Sequence, residues 1–519
     1  MRLLTTLLFV VYLVNGLFYM WRQSVTWDEP GHMSFGIRML KGSTQRADRP
    51  NFNSKMPVSA LNALPRAFEQ LLDKNLKKTD DGISDIMHGR YVTFFFSVFV
   101  GFIVFKWARE LYGPQAGLFA LFLFVFCPNC MANAVLVTTD TYSVTALLLV
   151  LYYLWKYLSG GKNRDFLLFC LFTGLAQLVK QSLIHIYVII ACLLVIHHFM
   201  TVPRPGIRWK ALLMKTGLFV LINLLVINAG FYFQGVGTPL GSYHFISASF
   251  QGLQKQLSFA GSCPLPLPTS FIEGLDMAKY YLQLGGGHPG SMFGNITILG
   301  HSSTGGSFWY YYFVICFFKT PIPILILLSW SVWRLARKGN LREIARNELF
   351  LLLPVVYFFI LMDFFYSSQT SIRQISFIYP LLYIFCGILL RDPPGLRQKW
   401  IIGVLSAAYV ASVLFYWGNY IPYTNEFILD KKMAYEKVGA ANLNFNQGQY
   451  FLNDYFAAHP EVSMATSTPR PGLQVVAIHD FLDIWNEHHF DWLKPFRPVG
   501  HIAHYYLIFD ITPDEINKH

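Results

Sequence analysis

Charge is what this sequence has least of. Only 13% of its 519 residues are Asp, Glu, Lys or Arg, where a soluble chain carries about a quarter. The shortfall excludes an ordinary soluble protein and fits a chain whose largest surface faces lipid. Acids are scarcer than bases, 29 against 41, for a net charge of +12. The bases sit in short segments between apolar runs, as the positive-inside rule predicts, so no nucleic-acid partner is expected. Cysteine is sparse too: Cys127, Cys130, Cys170, Cys192, Cys263, Cys316 and Cys386. Most lie in apolar stretches and read as small hydrophobes. "CPNC" at 127–130 has redox spacing, but it sits at a membrane-helix end without a thioredoxin-like context. No inverted repeat of the transporter kind is found by inspection.

Apolar length is abundant instead. Hydrophobic residues make up 54% of the chain and aromatics 17%. A membrane helix needs about 20 mostly apolar residues. Eleven windows qualify: 3–21, 89–106, 114–132, 140–157, 165–180, 183–200, 211–231, 308–333, 347–363, 373–390 and 400–417. The first has a basic start and small residues near its end, as a signal peptide would. Phe, Tyr, Met and Trp extend the apolar run, so an anchor is the reading.

Orientation follows from Lys and Arg. With the N-terminus cytoplasmic, the inner connections include "KWARELYG", "KYLSGGKNRD", "RPGIRWK", "RLARKGNLREIARNE" and "RDPPGLRQK". All are basic, while the short opposite connections near 133–139 and 364–372 hold no Lys or Arg. Residues 22–88, 232–307 and 418–519 then lie outside. Within the first, 56–72 has apolar residues at helical spacing and reads as an amphipathic helix on the membrane surface. The second is rich in Gly, Pro and Ser and reads as irregular. The tail mixes turn signals with short apolar runs such as "LQVVAI" and "YYLIFDI", which suggests a small α/β region. The expected architecture is an all-α polytopic membrane protein of about eleven transmembrane helices with extracytoplasmic surface helices. A membrane module over 1–417 precedes the extracytoplasmic region 418–519.

Chemistry gathers at the outer border. Asp28 and Glu29 follow the first span in "TWDEPGHMSFG". An acid there serves as a general base, as half of an acid/base pair or as a metal ligand. The plainer reading is a solvated pair that helps to cap a helix. Lys55, Arg90, Asp140, Lys180 and Arg373 also stand at apolar borders on that side. One such cation alone is a snorkelling side chain. Several together, on the side the positive-inside rule disfavours, suit a phosphate carried on a lipid. His88, His288 and His301 are outside as well, yet none has metal-ligand spacing such as His-Glu-x-x-His. No cofactor is required by any motif, and a divalent metal assembled from separate loops stays an open alternative. "NIT" at 295–297 is a formal glycosylation sequon.

Taken in order, these segments resemble the GT-C superfamily of polyprenyl-phosphate-sugar-dependent glycosyltransferases. The similarity is to bacterial relatives of protein O-mannosyltransferases and of the lipid A aminoarabinose transferase. "WDEPGHMSFGIRMLKG" looks like the family's first outer loop, and "SKMPVSAL" stands where "HPPL" or "EKPI" is usual. "GRYVTFFFSVFVG", "ANAVLVTTDTYSV", "GLAQLVKQS", "FWYYYFVICFFKTPIPILIL" and "RQISFIYPLLYIFCG" follow in the family's order. "YTNEF" and "GAANLNFNQGQYFLNDY" resemble the stretch that opens its tail. The resemblance implies many membrane helices, a site at the lipid–water border and a polyprenyl-phosphate-linked hexose or pentose as donor. It implies transfer, with inversion, to an extracytoplasmic protein, lipid or glycan. It also implies Asp28 as catalytic base beside Glu29, and Lys55 on the donor phosphate by match to "EKPI". Arg90, Lys180 and Arg373 are further phosphate candidates, and Asp140 and His88 complete the set. The family's usual His is absent from "SKMP", so its role is not carried over. A transporter or flippase is the rival class, with discontinuous helices near the midplane as its mark. A non-catalytic scaffold accounts for the tail but not for the outer cations.

Overall fold

The computed structural model describes residues 1–45, 56–72, 83–201, 209–285, 295–304, 306–338, 340–485 and 487–516. Every one of the eleven apolar windows is helical. Five helices are long and apolar enough to cross a membrane: Arg2–Arg22, Asp85–Tyr112, Asp140–Gly160, Gln181–Thr201 and Trp209–Gly230. Two windows differ from the expected continuous spans. Pro114–Val125 and Pro128–Ala134 meet at a 65° bend, and Tyr311–Lys319 meets Ile322–Arg337 at 114°. Each break carries a proline that cannot donate a backbone bond, Pro128 in one and Pro321 in the other. The other four windows fall on Asn163–Ala176, Leu349–Ile360, Ile378–Cys386 and Leu396–Leu414, which are shorter or less apolar.

A helix broken inside a bundle exposes carbonyls that must find donors. At the sharper break the donors come from residue 425 and its surroundings. The Asn425 amide donates to the Phe317 and Thr320 carbonyls at 2.6 and 2.9 Å. Its backbone N–H donates to the Phe318 carbonyl at 2.7 Å. Asn129 takes the Lys319 carbonyl at 2.6 Å. The buried Lys319 ammonium reaches the other way, to the carbonyls of Ile421 and Asn442 at 2.5 and 2.7 Å. "YTNEF" is therefore a brace between the broken span and the tail. Asn425→Leu keeps the shape and orphans the buried Thr320 carbonyl, which costs about 1–3 kcal/mol, and the part-buried Phe317 carbonyl. Thermal unfolding in detergent is expected to begin several degrees lower, and an unchanged apparent Tm would show the brace to be idle.

One large core joins the membrane helices, running from Tyr12 to Tyr423. A second core, from Ile428 to Ile511, belongs to the tail. There a four-stranded sheet has the order Ser463–Met464, Gly472–Ala477, Tyr506–Ile511, Gly500–Ile502. Only the first pair is parallel. Short helices, among them Gln449–Ala458 and Ile478–Phe481, accompany this sheet. Residues 56–72 contain the expected helix, Ser59–Leu72. Leu64, Phe68, Leu71 and Leu72 are exposed along one of its faces, the pattern of a helix lying on an apolar surface.

The first outer loop enters a second helix at once, Glu29–Leu40. It crosses the start of Ser59–Leu72 so closely that a Cβ on Gly36 would stand 2.2 Å from the Ser59 carbonyl oxygen. Glycine is needed there for contact rather than for conformation. The segment before this helix is stitched to the tail: Ser24 and Trp27 donate backbone bonds to Gln447 and Phe445 at 3.1 and 3.3 Å.

Candidate active site

Where the bundle meets the tail, a cavity of about 240 Å³ opens. All three long loops expected outside reach it: Trp27, Asp28 and His32 from the first, Tyr281 and Asn295–Thr297 from the second, Gly439–Ala441 and His479 from the tail. Gly439 closes its side with a left-handed backbone (φ 69°), and a Cβ there would lie 2.2 Å from the Thr297 carbonyl oxygen.

Asp28 is the residue before the helix Glu29–Leu40, the position where an acid usually caps. It makes no capping bond. Its carboxylate instead pairs with the Arg373 guanidinium at 2.5 Å. Arg373 sits over the Phe445 ring, its Cζ 3.9 Å from the centroid, and stands 3.9 Å from Asp140. Asp140 opens the helix Asp140–Gly160 and accepts from Lys180 at 2.7 Å. Thr138 donates to its other oxygen at 3.2 Å. The result is a ladder, Asp28–Arg373–Asp140–Lys180, with acids and cations alternating and a formal charge of zero. Four chain segments far apart in sequence converge on it. All four side chains line the cavity.

Glu29 goes the other way. It is wholly buried and receives two bonds from Arg90, Nε to Oε1 at 2.8 Å and Nη2 to Oε2 at 2.6 Å. Backbone N–H groups of Thr26 and Val137 complete the carboxylate at 2.9 and 3.0 Å. Arg90 spends its remaining donors on the carbonyls of Met20, Gln23 and Ser24 at 3.2, 2.9 and 2.8 Å. Neither residue lines the cavity. The two adjacent acids therefore have different fates because the helix begins between them. Asp28 precedes the first turn and points into the cavity toward Arg373, whereas Glu29 is part of it and points to Arg90 in the bundle.

His88 also lies away from the cavity, 3.3 Å from Glu69. Lys55 and His288 fall outside the described residues. Among the described residues, one group of acids and imidazole has metal-ligand spacing: Asp483, His488 and Asp491, whose ligand atoms lie within 4.8 Å of one another. It is not among the cavity-lining residues.

Several lining residues carry no sequence signal. His479, Ile484 and Trp485 belong to the tail, Tyr281 sits on the helix Thr269–Leu284 within the second outer loop, and Tyr311 opens the helix that follows it. Trp27 is the exception. Its place directly before Asp28 would have marked it.

Comparison with known proteins bears on the same stretch. Residues 84–227, which carry Asp140 and Lys180, match the model of the dolichyl-phosphate-mannose-protein mannosyltransferase family. ArnT from Cupriavidus metallidurans in the apo state superposes with a TM-score of 0.51 at 10% identity, covering 97% of each chain. The same protein bound to undecaprenyl phosphate gives 0.49 at 11% identity, again over 97% of each. The oligosaccharyltransferase AglB from Archaeoglobus fulgidus, in complex with an inhibitory peptide and a dolichol-phosphate, gives 0.47 at 11% identity. That match covers 86% of this chain and 59% of AglB. No curated protein matches the chain.

Proposed function

We propose that this member of the GT-C superfamily is an integral-membrane glycosyltransferase, moving a sugar from a polyprenyl-phosphate carrier to an acceptor on the extracytoplasmic face. The observation that carries the reading is the ladder Asp28–Arg373–Asp140–Lys180 inside one cavity at the end of the helix bundle. The mannosyltransferase family match over 84–227 supports a lipid-phosphate sugar as donor.

In this reading Lys180 and Arg373 take the donor phosphate, which replaces acids as their partner. Arg373 then loosens its hold on Asp28, and the freed carboxylate accepts the proton of an acceptor hydroxyl or amine. The acceptor oxygen or nitrogen bonds to the anomeric carbon as the carbon–oxygen bond to phosphate breaks. Polyprenyl phosphate leaves with the electron pair, its charge met by the two cations. A single direct displacement inverts the anomeric centre. The sugar is a hexose or pentose.

The basic connections belong, in this reading, to the cytoplasmic face. Several pair at the far end of the helices, Arg334 with Asp392 at 2.8 Å and Arg391 with Glu343 at 2.5 Å. The broken span at Pro321 would suit a transporter. Its freed carbonyls, however, are taken by Asn425 and Asn129, so they offer no ligands to a passing substrate.

The test incubates purified protein with undecaprenyl phosphate carrying mannose, glucose or arabinose and follows release of undecaprenyl phosphate. Release is expected with one of them. Lys180→Met removes one charge-assisted contact, worth about 1.5–3 kcal/mol, so the donor KM should rise about 10- to 100-fold. Absence of undecaprenyl phosphate release with all three lipid-linked sugars would defeat the proposal.

A further inference from the structure

Beside the ladder, the cavity has a second cluster that the proposed transfer does not use. Trp27 meets His479 edge to face, with ring centroids 4.7 Å apart and planes at 62°. Trp485 stands 5.8 Å from Trp27 at 51°. All three line the cavity. The two indoles are roughly half exposed, at 47% and 45%, although both are large and apolar enough to be buried by preference. His479 is buried at 3%, and its Nδ1 has no hydrogen-bond partner among the described residues. Burial pushes its pKa down to about 3, so the imidazole is neutral, with one nitrogen donating and the other accepting. A buried polar atom without a partner is rare and calls for an explanation.

We infer that Trp27, Trp485 and His479 form a sugar subsite, in which the tail grips the ring of the donor's hexose or pentose. The indole faces suit the C–H face of a sugar ring, and the unpartnered nitrogen suits one hydroxyl. A neutral imidazole has the matching chemistry, since a hydroxyl both donates and accepts. The inference rests on the transfer reading for its placement. The anomeric carbon must lie between the phosphate cations and Asp28, so the ring attached to it falls within reach of Trp27, the residue directly before Asp28. Two of the three residues belong to the tail, which therefore contributes to choice of sugar and not only to stability.

The test compares two affinities, for bare undecaprenyl phosphate and for undecaprenyl phosphate carrying mannose, glucose or arabinose. The native protein should bind one loaded carrier at least tenfold more tightly than the bare one. His479→Ala should erase about a factor of ten from that preference while leaving the bare carrier's affinity unchanged. His479→Asn, whose amide reaches the place of Nδ1, should keep most of it. Equal native affinity for loaded and bare carriers would overturn the subsite. So would a His479→Ala variant that weakens both alike, as a packing residue would, or one that keeps the full preference. Sugar preference without release of undecaprenyl phosphate would defeat the transfer reading and leave the subsite standing.

Discussion

Asp28→Asn is expected to cut turnover by roughly two to four orders of magnitude while leaving donor KM unchanged or lower. The amide keeps the size of the carboxylate and cannot accept a proton. The split between the two constants comes from the ladder's charge balance. Asp28 and Asp140 face Arg373 and Lys180, and Arg373 holds Asp28 at 2.5 Å but Asp140 only at 3.9 Å. Removing one acid leaves a net positive site in which Arg373 has lost its nearer partner. A phosphate then displaces less when it arrives, so binding does not suffer. Single-turnover release of undecaprenyl phosphate, with KM measured alongside, reads both effects. Near-normal turnover would remove Asp28 from the chemistry. Unchanged turnover with a higher KM would make it a phosphate-site support instead.

Much of this site is legible in the sequence because membranes make polar residues conspicuous. Asp28, Asp140, Lys180 and Arg373 stand out as charges at the ends of apolar runs, and all four converge on the cavity. Arg90 stands out for the same reason yet belongs elsewhere. Its partner Glu29 is 61 positions away, and nothing in a border charge tells whether it faces a ligand or another buried charge. The helix start that separates Asp28 from Glu29 is marked by Pro30 in its first turn, but which acid meets Arg373 and which meets Arg90 is set by tertiary contacts. The broken span was partly readable: "KTPIP" places two prolines inside an apolar run, and a proline there ends or kinks a helix. The length of the run favoured one continuous span, and the donors that make a break tolerable come from residues 129 and 425. His479 and Trp485 were beyond reach, because they meet Trp27 only through the fold of the tail.

Glu29→Gln should damage the fold rather than the chemistry, and this reverses the ordinary expectation for the neighbour of a catalytic acid. The side chain touches no cavity surface. It neutralises a fully buried Arg90 and holds the backbone of Thr26 and Val137. A glutamine keeps one oxygen as acceptor and turns the other position into a donor facing donors. The substitution leaves the Arg90 charge buried without a counter-charge, a loss of about 3–5 kcal/mol. Val137 directly precedes Thr138 and stands three residues before Asp140, so its release also loosens the acid that faces Lys180. The variant should therefore show a markedly lower apparent Tm in detergent and poor recovery from the membrane, with residual turnover per folded molecule well above that of Asp28→Asn. Arg90→Met with Glu29→Met removes both charges together, and replacing a buried ion pair by apolar residues of similar volume is often neutral or better. That double variant should regain much of the lost Tm. A Glu29→Gln protein of native stability and no activity would mean that Glu29, not Asp28, takes the proton.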